Sequence, residues 1–181
     1  MKAVFLDRDG VINSDRDDYV KNTDELEIYP FAPAAVKKLN EAGWPVFVVS
    51  NQQGVAKGII KPDDLAAMEL EIVRQLASIG AKITEFFYCK HLASEGCSCR
   101  KPQPGMILEA ADKYGIVLAE SIMVGDTAHD IAAGKSVGCK TILVLTGKLA
   151  RSDVELLSCK PDAVAENLAE AADIILRWYG Q

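Results

Sequence analysis

Polar residues in this chain stand where apolar runs stop. Lys2–Leu6 ends in Asp7-Arg8-Asp9-Gly10, Ile122–Val124 ends in Gly125-Asp126, and Val46–Val49 ends in Ser50 and Asn51. Lys101 lies in a loop just before a helical pattern that opens at Gly105. Asp7 and Asp9, two residues apart at a chain stop, can approach one point while Gly10 lets the backbone turn away. With Asp126 they make three acids that would repel one another unless a hard divalent cation sat among them, and ligation by oxygen alone favours magnesium. Such an ion also screens an incoming phosphate from a carboxylate that attacks it. A lysine at 101 and a hydroxyl at Ser50 supply the electrostatic clamp that phosphoryl transfer requires. The competing reading of Asp-x-Asp-Gly is a calcium loop or a solvated turn. An EF-hand loop fails here because Gly10 follows the second acid directly.

A second constellation is Cys89-Lys90-His91 followed, five residues later, by Cys97-Ser98-Cys99. Four such ligands in one loop can close a tetrahedral zinc site of the structural kind. The alternative is a set of free thiols beside a surface histidine. The one-residue gaps differ from the commoner Cys-x-x-Cys spacing, so spacing alone leaves both readings open. Five cysteines in all, three of them crowded beside one of only two histidines, is metal-like usage and not a disulfide framework. Cys139 and Cys159 read as small apolar residues. His129 reads as a solvent-facing residue at a helix start, and Asp15, Asp17 and Asp18 as a solvated turn.

These side chains need elements to position them. Lys2–Leu6, Val46–Val49, Phe86–Tyr88, Ile122–Val124 and Thr141–Leu145 have the short apolar character of buried strands. Between them, helical spacing covers Pro33–Ala42, with Gly43 as its stop, then Pro62–Ile79, Gly105–Tyr114, Asp130–Val137 and Leu168–Trp178. Strands alternating with helices predict a parallel sheet covered on both faces, in which ligands sit beyond the carboxyl ends of the strands. The irregular stretches Asn13–Pro30 and Leu92–Gly105 are the loops expected to cover such a site.

The bulk properties bound the rest. In 181 residues, 49% are hydrophobic, enough for one sizeable core and one domain over residues 1–181. A net charge of -6 and a pI near 5.0 leave no basic face to hold a nucleic acid. Neither a leader pattern nor an apolar run of about 18 residues is present, so the expectation is a cytoplasmic protein without a membrane partner. A monomer is the default.

DRDGVIN at 7–13, VVSNQQG at 48–54, CRKPQPGM at 99–106 and VGDTAHD at 124–130 together resemble the haloacid dehalogenase superfamily of phosphatases, in the family's order and across most of the chain. The resemblance implies a Rossmann-like doubly wound α/β fold and hydrolysis of a phosphate monoester through an aspartyl-phosphate. It implies that Asp7 is the nucleophile, Asp9 the acid and base, Ser50 and Lys101 the stabilisers of the phosphoryl group, and Asp126 a magnesium ligand. Asp9 would reach the metal through its backbone carbonyl, and Asp130 would support the metal site. Only short loops follow the first two motifs, so no large cap domain is expected.

The Cys-x-His and Cys-x-Cys loop directly before Arg-Lys-Pro is similar to the branch of histidinol-phosphate and heptose-bisphosphate phosphatases. That similarity implies a zinc ion on Cys89, His91, Cys97 and Cys99, although Lys90 departs from the branch's usual proline and the loop is short for it. The zinc would fix Arg100 and Lys101 against the substrate. The branch contacts its sugar from the loop that here holds Asn13, Asp15 and Tyr19; Asn51, Gln52 and Arg100 are the other expected substrate contacts. Arg100 beside Lys101, with Lys57 near, suits a second phosphate better than the amine of histidinol phosphate. The expected substrate is therefore D-glycero-D-manno-heptose 1,7-bisphosphate, cleaved at the 7-phosphate. A phospho-aspartate receiver module is the alternative from another class. Asp9 speaks against it, since a positioned acid and base promotes turnover, and receivers have no use for a zinc loop.

Overall fold

Val4, Phe5 and Leu6 are all closed to solvent, which is the burial of a strand covered on both faces. They form β1 (Val4–Leu6), and the other apolar runs follow as β2 (Val46–Asn51), β3 (Glu85–Cys89), β4 (Ile122–Gly125) and β5 (Lys140–Val144). The helices are α1 (Ala32–Glu41), α2 (Pro62–Ala77), α3 (Gly105–Tyr114), α4 (Ala128–Ser136) and α6 (Leu168–Trp178). A short α5 (Arg151–Val154) and a three-residue β6 (Ala163–Ala165) lie between β5 and α6 and were not expected. Small residues at a sheet edge carry no periodic signal, so β6 has nothing in its sequence to announce it. The computed structural model describes residues 1–180.

All six strands are parallel, in the order β3-β2-β1-β4-β5-β6. Leu6 stands opposite Val48 on one side and Val124 on the other. Alternate residues face opposite layers. Val4, Leu6, Val46, Val48 and Val124 pack with α1, α2 and α6, whereas Phe5, Phe47, Val49 and Met123 pack with α3 and α4. The order of strands turns back at β1 and β4, so the crevice outside their carboxyl ends is the place where this topology accepts a ligand.

Residues 7–31 after β1 form a turn, two isolated bridges (Asp9 to Asn13, Asn13 to Ile28) and a loop, with no inserted domain among the described residues. β2 runs two residues further than its apolar core and carries Ser50 and Asn51 inside the ladder, opposite Tyr88 and Cys89. α4 begins two residues earlier than the apolar spacing suggests, so Asp130 lies in its first turn, where its Oδ2 accepts from the backbone N–H (3.0 Å) and hydroxyl (2.6 Å) of Thr127. No helix among the described residues is long and apolar enough to cross a membrane.

Candidate active site

β1 delivers Asp7 at the switch point, its backbone N–H held by the Val124 carbonyl at 3.0 Å. Oδ1 of its carboxylate accepts from the N–H of Arg8 at 2.7 Å and pairs with the ammonium of Lys101 at 3.0 Å. Lys101 is 3% exposed, forms a further ion pair with Asp130 Oδ1 at 2.6 Å and donates to the Val49 carbonyl at 2.7 Å. Its position is set by Asn51, whose side-chain amide donates to the Lys101 carbonyl and accepts from the Lys101 N–H, each at 3.0 Å. Burial works against the ammonium's charge, but Asp130 and Asp7 more than offset it and raise the Lys101 pKa above its ordinary value.

Asp126 follows β4 and is packed between two glycines. A β-carbon on Gly10, which has φ +80°, would lie 2.5 Å from Asp126 Oδ2, and one on Gly147 would lie 1.9 Å from the same oxygen. Only hydrogen fits at either position. Burial pushes the Asp126 carboxyl up to about 9, with Asp7 and Asp130 adding to the rise. Burial also pushes Asp7 up to about 7; Lys101 opposes this, while Asp130 and Asp9 add to it.

The residues present fit a divalent cation. Oxygens of Asp7, Asp126 and Asp130 lie within 4.8 Å of one another, and the buried Asp126 Oδ1 has no hydrogen-bond partner among the described residues. Acids that burial drives toward the neutral form are those a bound cation would ionise, and an all-oxygen donor set suits magnesium.

The Asp9 side chain points elsewhere. Its carboxylate accepts from the Arg8 guanidinium (2.8–3.1 Å), from the Asn13 amide (2.9 Å) and from Gln52 Nε2 (2.8 Å), and Gln52 donates also to Ser50 Oγ at 3.0 Å. Arg8 is closed to solvent, and although its burial opposes the charge, Asp9 raises its pKa. Sequence reasoning passed over Arg8 because the middle residue of Asp-x-Asp points away from the mouth. The signal was the strand alternation itself, which turns that side chain toward the interior beside Tyr88.

A cavity of about 290 Å³ opens over these groups and is lined by Asp7, Asp9, Asp15, Tyr19, Ser50, Asn51, Gln52, Arg100 and Asp126 among the expected residues. Asn13 is fully buried and spends its amide on Asp9 and the Ser14 carbonyl, so it reaches the cavity only through Asp9. Tyr19, at φ +69°, holds its hydroxyl against Lys57 Nζ (2.8 Å) and Gln53 Nε2 (3.0 Å). The wall also includes Arg16, Asp17, Gln53, Thr127 and Lys148, none of which the motifs had singled out as site residues.

The sulfur and nitrogen atoms of the cysteine loop are gathered as well. Cys89 Sγ lies 3.6 Å from Cys97 Sγ and 3.6 Å from His91 Nδ1, while Cys99 Sγ lies 3.5 Å from Cys97 Sγ and 3.2 Å from His91 Nδ1. A tetrahedral ion with bonds of about 2.3 Å to sulfur and about 2.0 Å to nitrogen sets its ligands about 3.5–3.8 Å apart. Three of these four distances match the edges of such a tetrahedron, the His91 to Cys99 edge is shorter, and the sulfurs stand well beyond the ~2.0 Å of a disulfide. Burial works against the Cys97 thiolate, yet the Arg100 backbone N–H and the neighbouring thiols hold its pKa down to about 7. Burial and the two neighbouring thiols push Cys99 up to about 12.

Residues 98–171 match the family model described as HAD-hydrolase-like. The chain is 41% identical over 149 residues to the D-glycero-β-D-manno-heptose-1,7-bisphosphate 7-phosphatase of Pseudomonas aeruginosa, covering 82% of this chain and 84% of that protein. It is 37% identical over 177 residues to the enzyme of the same name from Bordetella bronchiseptica, covering 98% and 99% of the two chains. The crystal structure of the B. bronchiseptica D,D-heptose 1,7-bisphosphate phosphatase, complexed with magnesium and phosphate, superposes with a TM-score of 0.92 over 98% of this chain and 99% of that one, at 37% identity. A D,D-heptose 1,7-bisphosphate phosphatase from Burkholderia thailandensis matches with a TM-score of 0.74 and 28% identity over the full length of both chains.

Proposed function

The chain belongs to the haloacid dehalogenase superfamily of phosphatases, and from that membership we infer that it removes the 7-phosphate of D-glycero-β-D-manno-heptose 1,7-bisphosphate through an aspartyl-phosphate on Asp7. The observation that carries this reading is the Asp7 carboxylate at the switch point, tied at Oδ1 to a buried lysine 3.0 Å away and open toward the cavity. Relatives that carry this name and match over most of both chains support the choice of substrate.

With both donors on Oδ1, Asp7 Oδ2 is the oxygen that attacks phosphorus in line with the leaving group. The bond from Oδ2 to phosphorus forms as the bond from phosphorus to the sugar oxygen breaks. Asp9 gives its proton to the departing alkoxide, then takes one from a water whose oxygen attacks the phosphorus of the aspartyl-phosphate. That second displacement releases orthophosphate and restores Asp7. Lys101 and the Ser50 hydroxyl stabilise the phosphoryl oxygens. Asn51 keeps Lys101 in place, and Gln52 and Arg8 orient Asp9. Asp7, Asp126 and the Asp9 backbone carbonyl, with Asp130 in support, would hold a magnesium ion, which would supply positive charge where carboxylate and phosphate meet. Cys89, His91, Cys97 and Cys99 would hold a structural zinc, which would fix the loop that leads to Arg100 and Lys101. Asp15, Tyr19, Asn51 and Arg100 face the sugar and its second phosphate.

Asp7→Asn should still fold, at some cost in stability because Lys101 loses a partner, and should release orthophosphate on the order of 10⁴-fold more slowly than the wild type in magnesium. Wild-type turnover in that variant would sink the mechanism. Measuring kcat/KM on the heptose bisphosphate beside histidinol phosphate checks the substrate, and equal or better use of histidinol phosphate would reverse the assignment.

A further inference from the structure

The cavity over Asp7 has an unfavourable charge for a phosphorylated substrate: its walls carry five carboxylates against three cations, Arg16, Arg100 and Lys148. A magnesium ion bound as proposed above would offset the acids at the bottom. It would do nothing for Asp15 and Asp17 at the mouth. Arg16 is itself engaged with Asp18 at 3.2 Å and Glu25 at 3.7 Å. Lys148 is the cation that faces both rim acids, with Nζ 3.0 Å from Asp17 Oδ1 and 3.4 Å from Asp15 Oδ2.

The segment that carries Lys148 is tied to the site on three sides. The Thr146 hydroxyl donates to the Gly10 carbonyl at 2.6 Å, the Tyr29 hydroxyl donates to the Thr146 carbonyl at 2.9 Å, and Gly147 is pressed against Asp126. Its backbone is therefore located by the same residues that place the metal-site carboxylate, while its side chain is 57% exposed and free to work by charge. An exposed ion pair of this kind adds little to stability. At the mouth of an acidic cleft, the same charge governs which anions enter.

We propose that Lys148 is a specificity-determining residue: by cancelling Asp15 and Asp17 at the cavity mouth, it lets a substrate with two phosphates compete with one that has a single phosphate. This rests on the heptose bisphosphate reading above and deepens it. A substrate with twice the charge feels the rim potential twice as strongly, so the effect belongs in the ratio of kcat/KM for the bisphosphate to kcat/KM for the 7-monophosphate.

The test measures that ratio in the wild type, Lys148→Gln, Lys148→Glu, and Lys148→Gln combined with Asp17→Asn. Lys148→Gln should lower the ratio about tenfold through KM, with kcat little changed. Lys148→Glu should lower it further, Asp17→Asn should restore much of it, and added salt should compress the differences. A lysine that merely stiffened the loop would depress both substrates alike and would not be rescued by Asp17→Asn. An unchanged ratio, an equal loss on both substrates, or failure of the rescue would each overturn the proposal. A wild type inactive on the heptose bisphosphate would instead overturn the substrate assignment, and the same ratio on whichever sugar bisphosphate and monophosphate it does cleave would still judge Lys148.

Discussion

Lys101 is 3% exposed, and among the described residues its charge is met by Asp7, Asp130 and the Val49 carbonyl. Taking one partner from a buried ion group costs far more than the group contributes as a whole, because the remaining charge stays buried. Asp130→Asn should therefore lower the stability by about 3 kcal/mol, read from the midpoint of urea unfolding. A loss below about 1 kcal/mol would mean that the lysine finds solvent. At this scale the sequence was legible wherever a polar residue ended an apolar run, which covers Asp7, Ser50, Asn51 and Asp126. It was silent on Arg8 and Lys148. One is the variable letter of a short motif and the other stands three residues beyond the expected end of β5, so neither type nor spacing distinguished them. Residue type and spacing alone grouped the Asp9 carboxylate with Asp7 and Asp126, and only the family resemblance pointed to its turning away: the carboxylate turns to Arg8, Asn13 and Gln52, and Asp130 takes the place beside Asp7 and Asp126.

Both ends of the stretch from Cys89 to Cys99 pack against the core, but residues 93–96 between them are exposed, and the sulfur and histidine contacts are what close the loop. Its order should depend on the ion. One zinc per chain is expected by elemental analysis of protein purified under reducing conditions, and Cys99→Ser should lose the metal along with most of the hydrolytic activity. Metal-free protein with full activity would refute the assignment. At the other end of the sheet, Asp162 fastens β6 to β5: its carboxylate accepts from the Thr141 N–H at 2.7 Å and hydroxyl at 3.0 Å, and it pairs with Lys135. Burial opposes its charge, but Lys135 and Thr141 hold its pKa below the ordinary value. A group held down in the folded state contributes stability that is whole above the unfolded value near pH 4 and is lost as the pH falls through the lower folded value. Asp162→Asn should cost about 1 kcal/mol at pH 7, and the gap to the wild type should close on acidification below about pH 4. A gap independent of pH would show that the carboxylate's charge is not what holds the strands. The strands that pair on both sides could be read from their runs of buried apolar residues. Ala163–Ala165 could not, because a short edge strand is defined by its neighbour β5 and not by its own side chains.

For the whole molecule, alternation of strands and helices was enough to foresee a doubly wound sheet, because parallel strands need crossovers and crossovers need helices. Which strand ends adjoin was not readable from alternation; it follows from the order β3-β2-β1-β4-β5-β6, in which the fourth strand lies beside the first. That adjacency brings residue 7 to residues 126 and 130. The motifs at 48–54 and 99–106 reach the same point by different means. Ser50 arrives inside a strand, whereas Lys101 arrives on a loop and must be held there by Asn51. The paired bonds between the Asn51 amide and the backbone of Lys101 imitate a rung of sheet, with a side chain playing the part of the peptide on an adjoining strand. In consequence, residue 101 is anchored twice, to β2 through Asn51 and to the cysteine loop through the chain, and its ammonium is held beside its carboxylates from both sides.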